Sequence, residues 1–198
     1  MTYKVPNVPI FEQLLGTEKR VQDMQQRIAE LDWLEYSFGL CKRVTIEEGE
    51  DNVVQRPIVY VGTRADGLDM QMWPADVYKA YAFWDLIDPA EFLYFDNVNA
   101  RRRYPKIQQP IALIVCLDNK KISQSQDYNV THSICRNELI EKLNFFSIPS
   151  GGVFEITAMV ENLPEEVFSG YDVDDNLNEP YSMIRIEGVL TYTQDCTS

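Results

Sequence analysis

The 198-residue chain has one histidine, His132, and four cysteines, Cys41, Cys116, Cys135 and Cys196, no two of which form a CxxC pair. A structural zinc site draws on clustered cysteine and histidine, so this composition argues against a zinc site. The dispersed thiols read as free, buried groups of a reducing compartment rather than a disulfide framework. Asn129-Val130-Thr131 is then an accidental glycosylation sequon. Apolar runs are short, and none approaches the roughly 18–20 residues of a membrane helix. The opening Met1-Thr2-Tyr3-Lys4-Val5-Pro6 lacks the apolar core of a signal peptide. Cations are scarce too: 18 Lys and Arg stand against 31 Asp and Glu, for a net charge of −13 with His neutral. General attachment to phosphate backbones needs clustered Lys and Arg, which argues against it here. The dinucleotide-binding GxGxxG, the P-loop and the GxSxG nucleophile elbow are all missing, and Gly151-Gly152 reads as a turn.

What is present suits a folded domain. Apolar residues make up 45% and aromatics 12%, enough area to offset chain entropy. We expect one α+β domain over 1–198, a mostly antiparallel sheet with two flanking helices, preceded by an extended arm at 1–9 and interrupted by an acidic excursion at 162–180. The arm carries Val5 and Val8, which either lie on a neighbouring surface or fray. From Ile10 to Leu31 the pattern is helical, with Val21, Met24, Ile28 and Leu31 forming one stripe and Thr17 as a cap after a break at Gly16. Its polar face is Glu18, Lys19, Arg20, Gln25, Gln26, Arg27 and Glu30. Tyr36, Phe38 and Leu40 alternate as a strand, and Val53–Val61 is a second strand. The two form a ladder across the acidic turn at 47–52, or flank an insertion there, and Pro57 marks an edge or a bulge.

Further along, a strand is expected near 80–87, followed by a turn at Asp88-Pro89-Ala90. Ile111–Leu117 is the core strand, buried on both faces. A helix over 131–145 turns Ile134, Leu139, Ile140 and Leu143 inward, capped by Asn129 or Thr131. Strands follow at 153–161 and 183–192, the second with Ile184, Ile186, Leu190 and Tyr192 on one face. The core strand, Ile184, Ile186 and Leu190 are expected to pack on Val21, Met24, Ile28 and Leu31. Helix, strands, helix, strands in that order is an α+β pattern.

Chemistry-bearing patterns are few. His132 and Cys135 share a helix face at a spacing of three, and the plain reading is a surface histidine beside a buried thiol. Asp172, Asp174 and Asn176 imitate the start of a calcium loop. Leu177 stands where such a loop needs glycine, and Met183 where it needs a bidentate Glu. No catalytic residue, cofactor or metal is assigned. Arg101, Arg102, Arg103 and Lys106 form the one basic island. It is read as a solvated loop, a subunit contact or a nucleic-acid contact; an acidic neighbouring copy is the obvious protein partner. Arg101, Arg102, Arg103, Lys106, Val5 and Val8 are the candidate subunit-interface residues.

The order of elements resembles that of tail-terminator and tail-completion proteins of tailed phages. Met72-Trp73-Pro74-Ala75-Asp76, then Tyr81-Ala82-Phe83-Trp84, and the ending from Pro180-Tyr181-Ser182-Met183 to Asp195-Cys196 resemble virion proteins of phages of Bacteroides-type hosts, including crAss-like phages. The resemblance implies a non-enzymatic ring in the phage neck, sixfold or twelvefold, made in the host cytoplasm. Its neighbours would be portal, connector or tail proteins, and DNA would pass through its channel without specific binding. An acidic channel wall fits that role, because it repels phosphates rather than retaining them. The loop at 162–180 is longer and more acidic than a minimal terminator needs. Two other readings are a small ligand-binding or regulatory domain, with a pocket lined by the aromatics of 73–95, and an enzyme using acidic residues.

Overall fold

The computed structural model describes residues 14–47, 53–61, 68–71, 78–93, 105–123, 127–144, 146–172 and 179–193. The first element, α1 (Gly16–Ile28), starts where Leu15 is extended and Gly16 takes φ +61°. Val21, Met24 and Ile28 are buried, and Leu31 continues the stripe just beyond the helix. Burying side chains of this size contributes about 1.5–3 kcal/mol each relative to exposure. Two assignments change. Thr17 lies inside the helix, and its hydroxyl meets Tyr192 Oη at 2.9 Å rather than capping the backbone. Arg20 and Gln25, expected on the wet face, are buried. Both are spaced in phase with the apolar stripe, and both are satisfied there. Gln25 Nε2 donates to the Ser37 carbonyl at 2.6 Å, and Ser37 Oγ donates to the Gln25 carbonyl at 2.9 Å.

Those bonds tie α1 to β1 (Tyr36–Leu40), an end strand of the main sheet. The chain then runs through Cys41 directly into β2 (Lys42–Glu47). It is β2, and not the 36–40 segment, that pairs antiparallel with β3 (Val53–Val61). The stretch splits because Phe38 is buried, whereas Lys42 and Arg43 are exposed. The Cys41 N–H fixes the handover by donating to the Trp84 carbonyl at 2.7 Å. β4 (Leu68–Gln71) completes a three-stranded sheet in the order β2-β3-β4. Pro57 therefore sits on a central strand rather than an edge. β4 pairs only with Ile58–Val61, so Pro57 lies one residue past that ladder, where a missing N–H deprives no β4 partner.

The main sheet adds β5 (Ala80–Leu86), β6 (Glu91–Leu93), β7 (Lys106–Asp118), β8 (Val153–Glu161) and β9 (Tyr181–Thr193). Its order is β1-β5-β7-β9-β8, with β6 also pairing to β7; β1 runs parallel to β5 and every other pair is antiparallel. The expected core strand is longer than its apolar run. Pro110 fits inside it because β5 pairs as far as Ile111 and β6 only from Gln108, which leaves a gap opposite the proline. Ile111–Leu117 is buried on both faces. Ile111, Leu113, Val115 and Leu117 share a cluster with Val21, Met24, Ile28 and Leu31, as expected. Ile114 and Cys116 do not: they face the other way, onto Phe83, Val59, Phe168 and Met183. Period-two alternation on a doubly covered strand requires that division.

Two short helices, α2 (Asn119–Ile122) and α4 (Pro164–Val167), flank the longer α3 (Tyr128–Leu143). Asp127 caps α3 by accepting from the Asn129 N–H at 2.8 Å, displacing the two expected caps. The inward row is Thr131, His132, Cys135, Leu139 and Leu143; Ile134 is exposed. The architecture is α+β with a mostly antiparallel sheet. α4 lies within the expected acidic excursion, of which 173–178 falls outside the described residues.

Candidate functional site

Three polar constellations concentrate the chemistry of the described residues. The first centres on His132, which α3 presents to the sheet instead of to solvent. Its Nδ1 meets Ser182 Oγ at 2.9 Å, and the same oxygen accepts from Asn119 Nδ2 at 2.9 Å. On the far side, Nε2 lies 3.4 Å from Glu161 Oε2, within ion-pair reach but outside hydrogen-bond geometry. Arg136 Nη1 stands 3.4 Å from the same carboxylate. A serine, an imidazole and a carboxylate in line invite a nucleophile–base reading. Access decides against it: Ser182 is buried, and the cleft beside it, between Tyr78, Tyr81 and Tyr181, measures about 10 Å³. That is room for one water and not for a substrate. The constellation joins α2, α3, β8 and β9. It does not include Cys135, which packs in the apolar cluster, so the sequence pair of His132 and Cys135 shares a face without forming a dyad.

The second constellation lies between the sheets. Asp85 is buried on β5, and its Oδ1 accepts from Tyr171 Oη at 2.9 Å and from the Cys41 thiol at 3.5 Å. Arg43 Nη2 is 3.7 Å from Asp85 Oδ2, and its guanidinium lies 4.8 Å above the Tyr171 ring. Gly170 at φ +87° leaves space for that guanidinium; a Cβ there would come within 2.9 Å of it. Burial, and then the Asp85 charge, push the Cys41 thiol far above its ordinary range. Burial alone pushes Cys116 up to about 12, and Cys135 is pushed to about 12 by burial and the nearby Glu138. At pH 8 such groups hold about one part in ten thousand thiolate, the only form that reacts quickly. A Cys196→Ser variant is therefore expected to be inert to Ellman's reagent when native and to titrate three thiols when unfolded. Rapid modification of any native thiol would contradict this burial.

The third feature is a groove of about 700 Å³ at one end of the main sheet. Lys106 at the start of β7, Val153 and Glu155 on β8, Tyr192 on β9, and the 150–152 turn line it. Arg20 forms one wall. Its guanidinium lies 4.7 Å over the Tyr192 ring and donates to the carbonyls of Ser150 at 2.9 Å, Gly151 at 3.0 Å and Gly16 at 3.2 Å. Gly152, at φ +130°, is required there, because a Cβ would come within 2.8 Å of the Thr191 carbonyl.

Of the six interface candidates, the structure places Lys106, exposed at the rim of this groove. Arg101, Arg102, Arg103, Val5 and Val8 lie outside the described residues. The loop at 172 is committed elsewhere: Asp172 Oδ2 accepts from the Gln55 N–H at 2.6 Å, and its carbonyl takes Arg56. No group of three or more potential metal ligands occurs among the described residues. No described helix is long and apolar enough to cross a membrane. The sequence reading missed Arg20 as a groove wall, although its spacing of four from Met24 and eight from Ile28 already placed it on the buried stripe. No protein-family model matches the chain, and no curated protein matches it significantly.

Proposed function

We propose that this chain is a structural virion protein, forming a homo-oligomeric ring around the DNA channel of a phage neck, as head–tail connector or tail terminator. It acts by assembly and performs no catalysis. One observation carries the assembly part. β8 is the last strand of the main sheet, and its outer side meets only the isolated Ser147–Val153 bridge among the described residues. Val153 and Met159 on the strand and Leu163 just after it are exposed apolar side chains. Exposed apolar surface beside an unpaired edge favours association with another chain. The neck position rests on the sequence resemblance, and the charge of −13 suits a wall that lets DNA pass.

The ligand-binding alternative has less support, because Tyr81, Phe83 and Trp84, the described heart of its aromatic stretch, are packed in the interior. Native mass spectrometry of the purified chain, without ligand, tests the ring. A mass of six or twelve subunits is expected. Reversing Arg101, Arg102 and Arg103 to Glu should weaken assembly while leaving the subunit folded, and high salt should reproduce part of the loss. Undiminished rings would remove the basic island from the contact. A wild-type chain that stays monomeric beside its portal-side partner would overturn the ring.

A further inference from the structure

We propose that the groove at the sheet end receives the N-terminal segment, residues 1–13, of a neighbouring copy, so that adjacent subunits are laced together by their arms. This inference rests on the ring reading and names its contact. The groove, at about 700 Å³, is far larger than the cleft beside Ser182, and nothing among the described residues fills it. Its lining is mixed. The Tyr192 ring and the half-exposed Val153 side chain offer apolar contact, while Ser150, Thr191 and Thr193 offer hydrogen-bonding groups. An extended peptide needs both, because its side chains seek apolar surface and its backbone N–H and C=O must be paired.

The occupant is argued from composition and position. Residues 1–13 include Met1, Tyr3, Val5, Val8, Ile10 and Phe11, with one cation, Lys4, and one anion, Glu12. Such a segment gains from burial, and its two charges have counterparts at the groove in Glu155 and Lys106. It joins the described chain at Leu14, two residues before Gly16, and that glycine lies beside Tyr192 Oη and gives its carbonyl to Arg20. The arm thus departs beside the groove of its own subunit, and in a ring the equivalent groove of the next copy lies one subunit along. At roughly 3.3 Å per extended residue, thirteen residues reach about 40 Å, enough to cross a subunit boundary. The contact is heterologous, arm into groove, which is the kind that closes a ring by rotation. Lys106, the one described member of the expected interface set, stands at that rim.

The test places a photo-crosslinking benzoylphenylalanine at position 153 and assembles these subunits with ¹⁵N-labelled wild-type chains. Crosslinks from position 153 to labelled peptides within residues 1–13 are expected. Crosslinks confined to the unlabelled chain would show the arm folding back on its own subunit and would overturn the exchange. Rings that form without any crosslink to residues 1–13 would overturn the arm assignment alone and leave the ring standing. A monomeric wild type without crosslinks between chains would overturn both. As a second measurement, Val153→Asp, at a position exposed enough to spare folding, is expected to raise the concentration needed for assembly by about tenfold. An unchanged midpoint would remove Val153 from the contact.

Discussion

Ile114→Ala is expected to lower the stability of the subunit by about 2–5 kcal/mol, the range for emptying a fully buried aliphatic site. Ile114 has no solvent exposure and sits on the middle of β7, paired with Phe83 on β5 and Arg185 on β9. Its side chain points away from α1 and α3, into the cluster of Phe38, Val59, Val167 and Phe168. That cluster joins the three-stranded sheet and α4 to the main sheet, so the cavity would open at the junction between layers. Three strand backbones hold the site open, and collapse around it is restricted. Urea denaturation followed by fluorescence reads the change in midpoint. A midpoint within experimental error of wild type, with folding intact, would show that the β7 interior had been misassigned.

An equally large loss is expected for Gly188→Val, by the opposite mechanism. A Cβ at Gly188 would collide with the Phe154 ring and lie 2.5 Å from the Glu155 carbonyl. Phe154 pairs with Leu190, two residues from Gly188 on the same face, so its ring crosses the glycine diagonally and packs in the core against Trp84, centroid to centroid 5.7 Å. A β-branched residue has no rotamer that avoids both obstacles, so the cost should exceed the ~1–3 kcal/mol usual for overpacking. Phe154→Ala alone should cost about 3–5 kcal/mol. In the double variant the two losses should fall well short of their sum, since one clash disappears. Strict additivity in the denaturation midpoints would refute the contact.

The legible parts of this fold were those set by local pattern. The α1 stripe, the doubly buried run of β7 and the alternation of β9 each follow from side-chain period, and each stands where the sequence puts it. What the pattern could not supply was partnership. Tyr36–Leu40 reads as a strand, but nothing local reveals that it joins β5 in parallel while the next six residues turn to β3. Ile114 reads as core, but its face depends on which layer covers β7. Polar residues misled where they were satisfied from afar: Arg20 by the carbonyls of the 150–151 turn, His132 by Ser182 on the last strand. The candidate site was less legible than the fold. Of the residues singled out for contact, Lys106 is placed, and the groove it borders is assembled from four separate stretches of chain.

The position of β9 has a consequence for the order in which the molecule can be made. β7 pairs with β9 along thirteen register positions, and among the described residues β9 is the one strand that pairs with β8. Since β9 follows both in the chain, a growing polypeptide exposes the apolar face of β7 and one whole edge of β8 until residues 181–193 have left the ribosome. Pairings this distant close slowly, and unpaired strands are prone to stick to other chains while they wait. Where several ribosomes translate one message, many such chains emerge side by side. The last strand therefore acts as a clasp, and the interval before it arrives is when a nascent subunit is most exposed to capture by its own siblings.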